Sequence, residues 1–113
     1  MAFGKEVRIF LKGDAKKSYL KLKKSGDKEA KIIISSFQRV KEILKENPQF
    51  GEPVTKRLMP KELLKKEIKN IYRVELSNYW RMIYTLEGDQ INIFLFVLKI
   101  FDHKDYNKFF NYK

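Results

Sequence analysis

The spacing of apolar residues changes near Ile71, and this change limits the folds that the chain can adopt. In the first half, apolar residues recur every three or four positions, as at Ile33, Phe37, Val40, Ile43 and Leu44. From Ile71 onward they recur at every second position. A period near 3.6 is typical of helices and a period of two is typical of strands. Helices followed by strands predict an α+β fold, in which helices pack on a sheet.

Capping residues divide the first half into smaller elements. Alternate apolar positions predict a first strand over Val7, Ile9 and Leu11. Asp14 is expected to cap a first helix that ends at Gly26, because glycine readily adopts the left-handed conformation that ends helices. Asp27 is expected to cap a second helix that ends before Pro48. The two helices would form a hairpin.

A basic connector separates the two halves of the chain. Prolines and glycine interrupt regular structure at Pro48, Gly51, Pro53 and Pro60. Between Lys56 and Lys66 the only acidic residue is Glu62. The same stretch carries five basic residues: Lys56, Arg57, Lys61, Lys65 and Lys66. A short helix is predicted around residues 61 to 66.

The strand pattern of the second half predicts which side chains share a face of the sheet. If Ser77, Asn78 and Tyr79 form a three-residue turn, the next two strands pair so that Glu75 lies opposite Arg81. By the same register Arg73 lies opposite Ile83. Arg73, Glu75 and Arg81 would then occupy one surface.

The last predicted strand, Ile91 to Ile100, is apolar on both faces, as expected at the centre of a sheet. The complete prediction is one domain over residues 1–113, with an N-terminal strand and a helical hairpin packed on an antiparallel sheet, and a C-terminal tail. The helices are expected to cover one sheet face. Core and tail packing is the role expected for the aromatic residues Phe94, Phe96, Phe101, Phe109, Phe110 and Tyr112.

Charge and composition narrow the classes of function. The chain has 25 Lys and Arg against 14 Asp and Glu, a formal charge of +11. This excess predicts a polyanionic partner, although lysine-rich surfaces are also a habit of heat-adapted proteins. With no cysteine and the single histidine His103, neither a metal site nor another cofactor is expected. The start of the chain lacks a signal-peptide core and no apolar run reaches the ~20 residues of a membrane span, which favours a cytoplasmic protein with no membrane partner.

Three segments together resemble one protein family. They are Ile71-Tyr72-Arg73-Val74-Glu75-Leu76, Trp80-Arg81-Met82-Ile83-Tyr84 and Asp102-His103-Lys104-Asp105-Tyr106. Their order and separation resemble those of the RelE/ParE superfamily of toxins from type II toxin–antitoxin systems, over most of the chain. The resemblance implies a RelE-like fold and a protein antitoxin, acidic overall, as inhibitory partner. RelE-like members cleave messenger RNA on the ribosome, whereas ParE-like members inhibit DNA gyrase and cleave nothing.

The RelE-like alternative would make the chain an mRNA interferase, an endoribonuclease that works without a metal. Such cleavage needs a base for the 2′-hydroxyl, cations for the charged phosphorane and an acid for the leaving oxygen. Arg81 resembles the phosphate-contacting arginine of the family, and its alternative role is to pair with Glu75 across the strands. His103 resembles the histidine that acts as acid or base in the C-terminal histidine–tyrosine group of some RelE-like toxins. Its alternative role is to cap the final helix together with Asp102. Lys104 and Tyr106 would bind phosphate and position the nucleotide.

The remaining candidates concern the base and the RNA contacts. Glu75 occupies a position where several RelE-like toxins carry lysine, and a carboxylate base would explain it. Glu52 resembles the glutamate that other members place before the basic connector as the base, although an exposed turn acid is the alternative. RNA contacts are expected from Arg73, Lys104, Lys56, Arg57 and Tyr79, whereas Trp80 falls on the core side of its strand. A ParE-like toxin and a plain basic RNA-binding module remain the alternatives for the whole chain.

Overall fold

The computed structural model describes residues 4–111, and they form an α+β fold. In chain order, the helices and strands are β1 (Glu6–Leu11), α1 (Gly13–Ser25), α2 (Lys28–Glu46), β2 (Glu52–Pro53), α3 (Lys61–Lys65), β3 (Tyr72–Glu75), β4 (Arg81–Gly88), β5 (Asn92–Phe101) and α4 (His103–Phe109). None of the helices described for residues 4–111 is long and apolar enough to cross a membrane. Tyr112, expected to pack in the tail, lies outside these residues.

The strands form one mixed sheet in the order β1-β5-β4-β3-β2. The meander β3-β4-β5 is antiparallel, because consecutive strands joined by short turns must reverse direction. The expectation of an antiparallel sheet is wrong for β1, which pairs with β5 in parallel, from Glu6 opposite Asn92 to Leu11 opposite Val97. No short turn joins these two strands, so their direction is set by packing of the intervening elements.

The helical hairpin packs on one face of the sheet and forms the first core. Asp27 caps α2 as predicted, and its carboxylate accepts a hydrogen bond from the Ala30 amide, which lowers the pKa of Asp27. Gly26 ends α1 with φ of +64°. The buried members of this core are Ala15, Phe37, Val40, Leu44, Val74, Leu76, Met82, Tyr84, Leu95, Val97 and Ile100.

The predicted cap of α1 is wrong. The helix starts at Gly13 after Lys12, which makes no side-chain capping bond. Asp14 instead lies within the first turn and accepts a hydrogen bond from the Lys99 ammonium on β5. That bond and the charge of Lys99 lower the pKa of Asp14. An acid in a first helical turn still interacts favourably with the helix dipole, so the position suits both contacts.

A second core lies on the opposite face of the sheet, so the prediction that helices cover one face is also wrong. Its buried members are Met59, Leu63, Ile71, Ile83, Tyr106 and Phe110. Leu63 belongs to α3 and Tyr106 to α4. These short helices cover the face that also carries Arg73 and Arg81. The packing of α4 therefore brings the C-terminal segment to the predicted site.

Candidate functional site

The β3–β4 hairpin has the register predicted from the sequence. Glu75 lies opposite Arg81 and Arg73 opposite Ile83. The backbone amide of Leu76 donates to the carbonyl of Trp80 at 2.8 Å, across the three-residue turn Ser77–Tyr79. Trp80 packs against the first core, as its side of the strand predicted. Arg73, Glu75 and Arg81 therefore share the face of the sheet on which α4 packs.

Arg73 joins β2, β3 and α4 through its side chain. Its Nη1 donates to the Tyr106 hydroxyl at 2.7 Å, and its Nε and Nη2 donate to Oε2 of Glu52 at 3.1 and 3.0 Å. The hydrogen bond to Tyr106 and, next among the favourable contacts, that to Glu52 raise the pKa of Arg73, whereas burial opposes the rise. The guanidinium thus fixes the positions of one acid and one tyrosine from distant parts of the chain.

Glu52 is held in place by the turn that precedes it. The Gly51 amide donates to the Tyr84 hydroxyl at 2.9 Å, and this hydroxyl donates to the Pro48 carbonyl at 2.7 Å. A Cβ at position 51 would lie 2.7 Å from the Tyr84 hydroxyl oxygen, so only glycine fits. Burial raises the pKa of Tyr84 to about 12. The turn therefore places Glu52 beside Arg73.

Arg81 lies on the other side of Tyr106. Its side chain is 18% exposed, and its Nη2 is 3.7 Å from the carboxylate of Glu75, whose side chain is 78% exposed. The Arg81 guanidinium carbon lies 5.5 Å from the centre of the Tyr106 ring, within the range of cation–π contacts. Tyr106 itself is only 4% exposed. One buried tyrosine thus contacts both arginines, one through its hydroxyl and the other through its ring.

His103 and Tyr79 lie at the edge of this group. The two rings are 6.0 Å apart in an edge-to-face arrangement, and both residues are exposed. His103 is the first residue of α4, but the cap is Asp102, whose carboxylate accepts a hydrogen bond from the Asp105 amide. Capping is therefore done by Asp102, which leaves the His103 imidazole at the surface next to exposed Lys104.

The other predicted RNA-binding residues lie farther along the connector. Lys56 and Arg57 form part of an exposed 3-10 turn, Lys56–Leu58, between β2 and α3. Among the described residues 4–111, no group of three or more histidine, aspartate or glutamate residues is placed to hold a metal ion.

The sequence did not indicate the contacts that organise the site. Glu52 and Tyr106 are 21 and 33 residues away from Arg73 along the chain. Periodicity and turn patterns describe neighbours within an element, so no local signal predicts these pairs. Tyr106 reaches Arg73 only because α4 packs on the sheet.

No protein-family model, no curated protein and no solved structure matches this chain.

Proposed function

We propose that this chain is a RelE-like toxin of a type II toxin–antitoxin system, an endoribonuclease that cleaves messenger RNA on the ribosome without a metal. The observation that carries the proposal is the arrangement of Arg73 and Arg81 around Tyr106, with Glu52 and Glu75 paired to the two guanidinium groups. It gathers cations and carboxylates on one face of a protein with a formal charge of +11. Cations, a base and an acid are what metal-free RNA cleavage requires.

In this proposal Arg81 stabilises the charge of the phosphorane, because a guanidinium can donate to two phosphate oxygens at once. Glu75, 3.7 Å from Arg81, takes the proton of the attacking 2′-hydroxyl. His103 donates a proton to the leaving 5′-oxygen, since imidazole titrates near neutral pH. Arg73 positions Tyr106, and Tyr106 orients Arg81 through its ring.

The remaining candidates contribute to RNA binding. Exposed Tyr79, beside His103, can stack a base, and Lys104, Lys56 and Arg57 can contact phosphates. In the cell, an antitoxin acidic overall would neutralise this face and keep the toxin inactive in the cytoplasm. The RelE/ParE-like fold is part of the same proposal.

Cleavage of messenger RNA by purified protein on programmed ribosomes tests the proposal. Wild-type protein that has been stripped of metals with EDTA and then dialysed should shorten the message in a buffer whose only divalent ion is the Mg²⁺ that intact ribosomes require. Arg81→Ala should lower the single-turnover rate by ~10²-fold or more, as for loss of a preorganised charge. Lys24→Ala removes a positive charge from the exposed last turn of α1 and is the control, expected to cleave normally.

Three outcomes would contradict the proposal. An intact message with blocked DNA supercoiling would favour a ParE-like gyrase inhibitor. RNA binding with steep salt dependence and no product would favour a plain binding module. Full activity of Arg81→Ala would remove Arg81 from the site.

A further inference from the structure

A basic groove lies between α2 and the turn that joins β3 to β4. Three exposed cations of α2 line it, Lys28, Lys31 and Arg39, and Ser77 lines it from the turn. Residues three or four positions apart lie on one face of a helix, so Ser35 continues the row from Lys31 to Arg39. We call the space lined by these five residues the α2 groove.

The turn is fixed to the helix, so the two walls of the α2 groove keep their relative positions. The Ser77 amide donates a hydrogen bond to Oγ of Ser36 at 3.0 Å, and Ser36 is only 4% exposed. The opposite side of α2 packs in the first core through Phe37 and Val40. The cations therefore lie on the outer side of a helix whose inner side is anchored.

Among the described residues 4–111, those that line the α2 groove include no carboxylate. The acids within α2 itself lie elsewhere. Glu29 lines a different groove, next to α1, and Glu42 lies 3.2 Å from the ammonium of Lys45. Glu46 ends α2, about 10 Å beyond Arg39 at ~1.5 Å per residue. The charge that faces the α2 groove is therefore positive.

Two acids outside α2 also come near these cations, and both have other partners. Asp27, which precedes Lys28 in the chain, accepts hydrogen bonds from the Ala30 amide and the Ser25 hydroxyl. Glu75 forms its ion pair with Arg81. Both carboxylates are thus already bonded to groups other than the three cations.

Arg39 connects the α2 groove to the candidate site. It also lines a second groove, together with Arg73 and Glu75 of β3. Glu75 is the proposed base, and Arg73 holds Tyr106. A ligand that fills the α2 groove can therefore continue past Arg39 to the groups that are proposed to act on RNA.

The length of the α2 groove favours a chain of phosphates over a small anion. Lys28 and Arg39 are separated by about 16 Å along the helix axis, at ~1.5 Å per residue. A nucleic-acid strand carries one phosphate per ~3.4 Å of its helix axis, so roughly five phosphates span this distance. A free phosphate or a single acidic side chain could not reach all three cations.

The lining of the α2 groove also favours nucleic acid over a protein. The centre of a protein–protein interface is depleted in charged residues and rich in apolar ones. Ile32, 40% exposed, is the one apolar side chain among the described residues that line this groove. Two copies of the chain would bring together formal charges of +11 each. The α2 groove thus offers charge rather than apolar area.

We propose that the α2 groove binds the phosphate backbone of the RNA strand that the candidate site cleaves. Lys28 and Lys31 contact phosphates at the far end, and Arg39 contacts the phosphate nearest the candidate site. Ser35 and Ser77 line the same space and can donate their hydroxyls to phosphate oxygens. Such contacts position a strand and carry no sequence preference. The choice of RNA, and of the cleaved strand, rests on the proposed function.

The test is binding of a single-stranded 2′-O-methyl RNA that spans both grooves, measured by fluorescence anisotropy over a salt series without ribosomes. This probe has no free 2′-hydroxyl, so it stays intact whether or not the protein is a nuclease. Each phosphate contact on a single strand contributes about 0.7 to the salt slope of log K. The groove variant, Lys28→Gln with Lys31→Gln and Arg39→Gln, should reduce that slope by about 2 and bind ~10²-fold more weakly at ~0.1 M salt.

A matched variant removes the same charge from α1. Lys16→Gln, Lys23→Gln and Lys24→Gln change three exposed lysines on the other helix of the hairpin. Glutamine is a good helix former, so both triple variants should fold. The α1 variant should bind within about twofold of the wild type and keep its salt slope, because charges more than ~10 Å from the RNA are largely screened.

A crosslink identifies the strand that occupies the α2 groove. The chain has no cysteine, so Ser35→Cys provides a single site for a photoreactive label. On programmed ribosomes this label should crosslink to the message rather than to ribosomal RNA. Leu20→Cys, at a 53% exposed residue of α1, is the labelled control and should crosslink to the message much less.

Three results would overturn the proposal. One is a folded groove variant with the affinity and salt slope of the wild type, or an α1 variant that loses as much. Another is a Ser35→Cys crosslink to ribosomal RNA alone, which would make the α2 groove a contact with the ribosome. The third is poly-glutamate that competes as well as RNA of equal charge and needs the same three cations, which would indicate an acidic protein partner.

Failure of the α2 groove and failure of the nuclease can be told apart. Weaker oligonucleotide binding by the groove variant, when the wild type cleaves no message, would support the α2 groove and refute only the nuclease. Cleavage by the wild type together with unchanged oligonucleotide binding by the groove variant would refute the α2 groove alone.

Discussion

At the scale of single residues, Tyr106 organises the candidate site. Its hydroxyl accepts the hydrogen bond from Arg73, and its ring lies beside the guanidinium of Arg81. A tyrosine that is 4% exposed offers little surface to a substrate. Its contribution is therefore to hold two arginines at fixed positions, since rotation of either side chain would lose a contact.

The two carboxylates of the site should differ in their effect on cleavage. Oε2 of Glu52 already accepts two hydrogen bonds from Arg73, whereas Glu75 makes a longer ion pair with Arg81 and is more exposed. Glu75→Gln should therefore lower the single-turnover rate on programmed ribosomes by ~10²–10⁴-fold, as for loss of a general base. Glu52→Gln should have the smaller effect. The opposite ranking would transfer the role of base to Glu52.

His103 should affect the rate of cleavage rather than stability. Because Asp102 and not His103 caps α4, His103→Gln should leave the thermal unfolding midpoint nearly unchanged. It should slow cleavage by ~10²–10⁴-fold and remove one limb of the pH–rate profile, as for loss of a general acid.

The control for this histidine is Tyr106→Phe, which keeps the ring and removes the hydroxyl bonded to Arg73. It should slow cleavage less than His103→Gln does, and its pH profile should keep the wild-type shape. A His103→Gln profile identical to that of the wild type would exclude proton transfer by His103.

At the scale of elements, single capping residues predicted where helices begin and end, because a cap depends only on residues close to it in the chain. The Asp27 carboxylate accepts a hydrogen bond from the amide of Ala30, three residues on. Gly26 adopts the left-handed conformation that ends α1. Asp14 is not the cap because α1 begins at Gly13, which places Asp14 inside the first turn, where its carboxylate accepts a hydrogen bond from Lys99 on β5. The helix therefore starts before the residue that the local signal indicated.

The two glycines at the ends of α1 should respond in opposite ways to alanine. Gly26 has φ of +64°, so Gly26→Ala should lower the free energy of unfolding by about 1–2 kcal/mol. Gly13 begins the helix with no atom within 4 Å of an added Cβ, so Gly13→Ala should keep or raise stability, by up to ~1 kcal/mol. Urea unfolding of the two variants measures both effects. Equal changes of the same sign would contradict the assignment of the α1 end.

At the scale of the whole molecule, one sheet is covered on both faces. The helical hairpin forms the first core, and α3 with α4 forms the second. The second core connects stability to the site, because Phe110 packs against the Tyr106 ring at a centre-to-centre distance of 4.8 Å. Loss of packing there should release the tyrosine that holds the two arginines.

Phe110→Ala should therefore lower both stability and cleavage. Phe110 is 8% exposed, and truncating such a ring costs about 3–5 kcal/mol of unfolding free energy. Leu20→Ala, at a residue of α1 that is 53% exposed, is the control and should cost ~0.5 kcal/mol or less. Chemical denaturation and the ribosome cleavage assay on both variants measure the two effects. A Phe110→Ala protein with wild-type stability would contradict the second core.

The sequence by itself determined the elements and the pairing of neighbours. The change of apolar period predicted an α+β chain, and the three-residue turn Ser77–Tyr79 set Glu75 opposite Arg81. These features depend on residues close together along the chain, where backbone geometry alone relates one position to the next. Both arginines and Glu75 could be placed on one face for the same reason.

Only the tertiary structure decided how distant segments meet. It set β1 parallel to β5, placed α4 on the second face and brought Tyr106 and Glu52 to Arg73. It also left Phe10, Phe94 and Phe96 outside both cores, although the sequence favoured packing for Phe94 and Phe96. The physical reason is that an aromatic or charged side chain satisfies local patterns equally well in several environments. Its environment is chosen by the apolar area that the whole chain buries, and this depends on contacts that no short stretch of sequence contains.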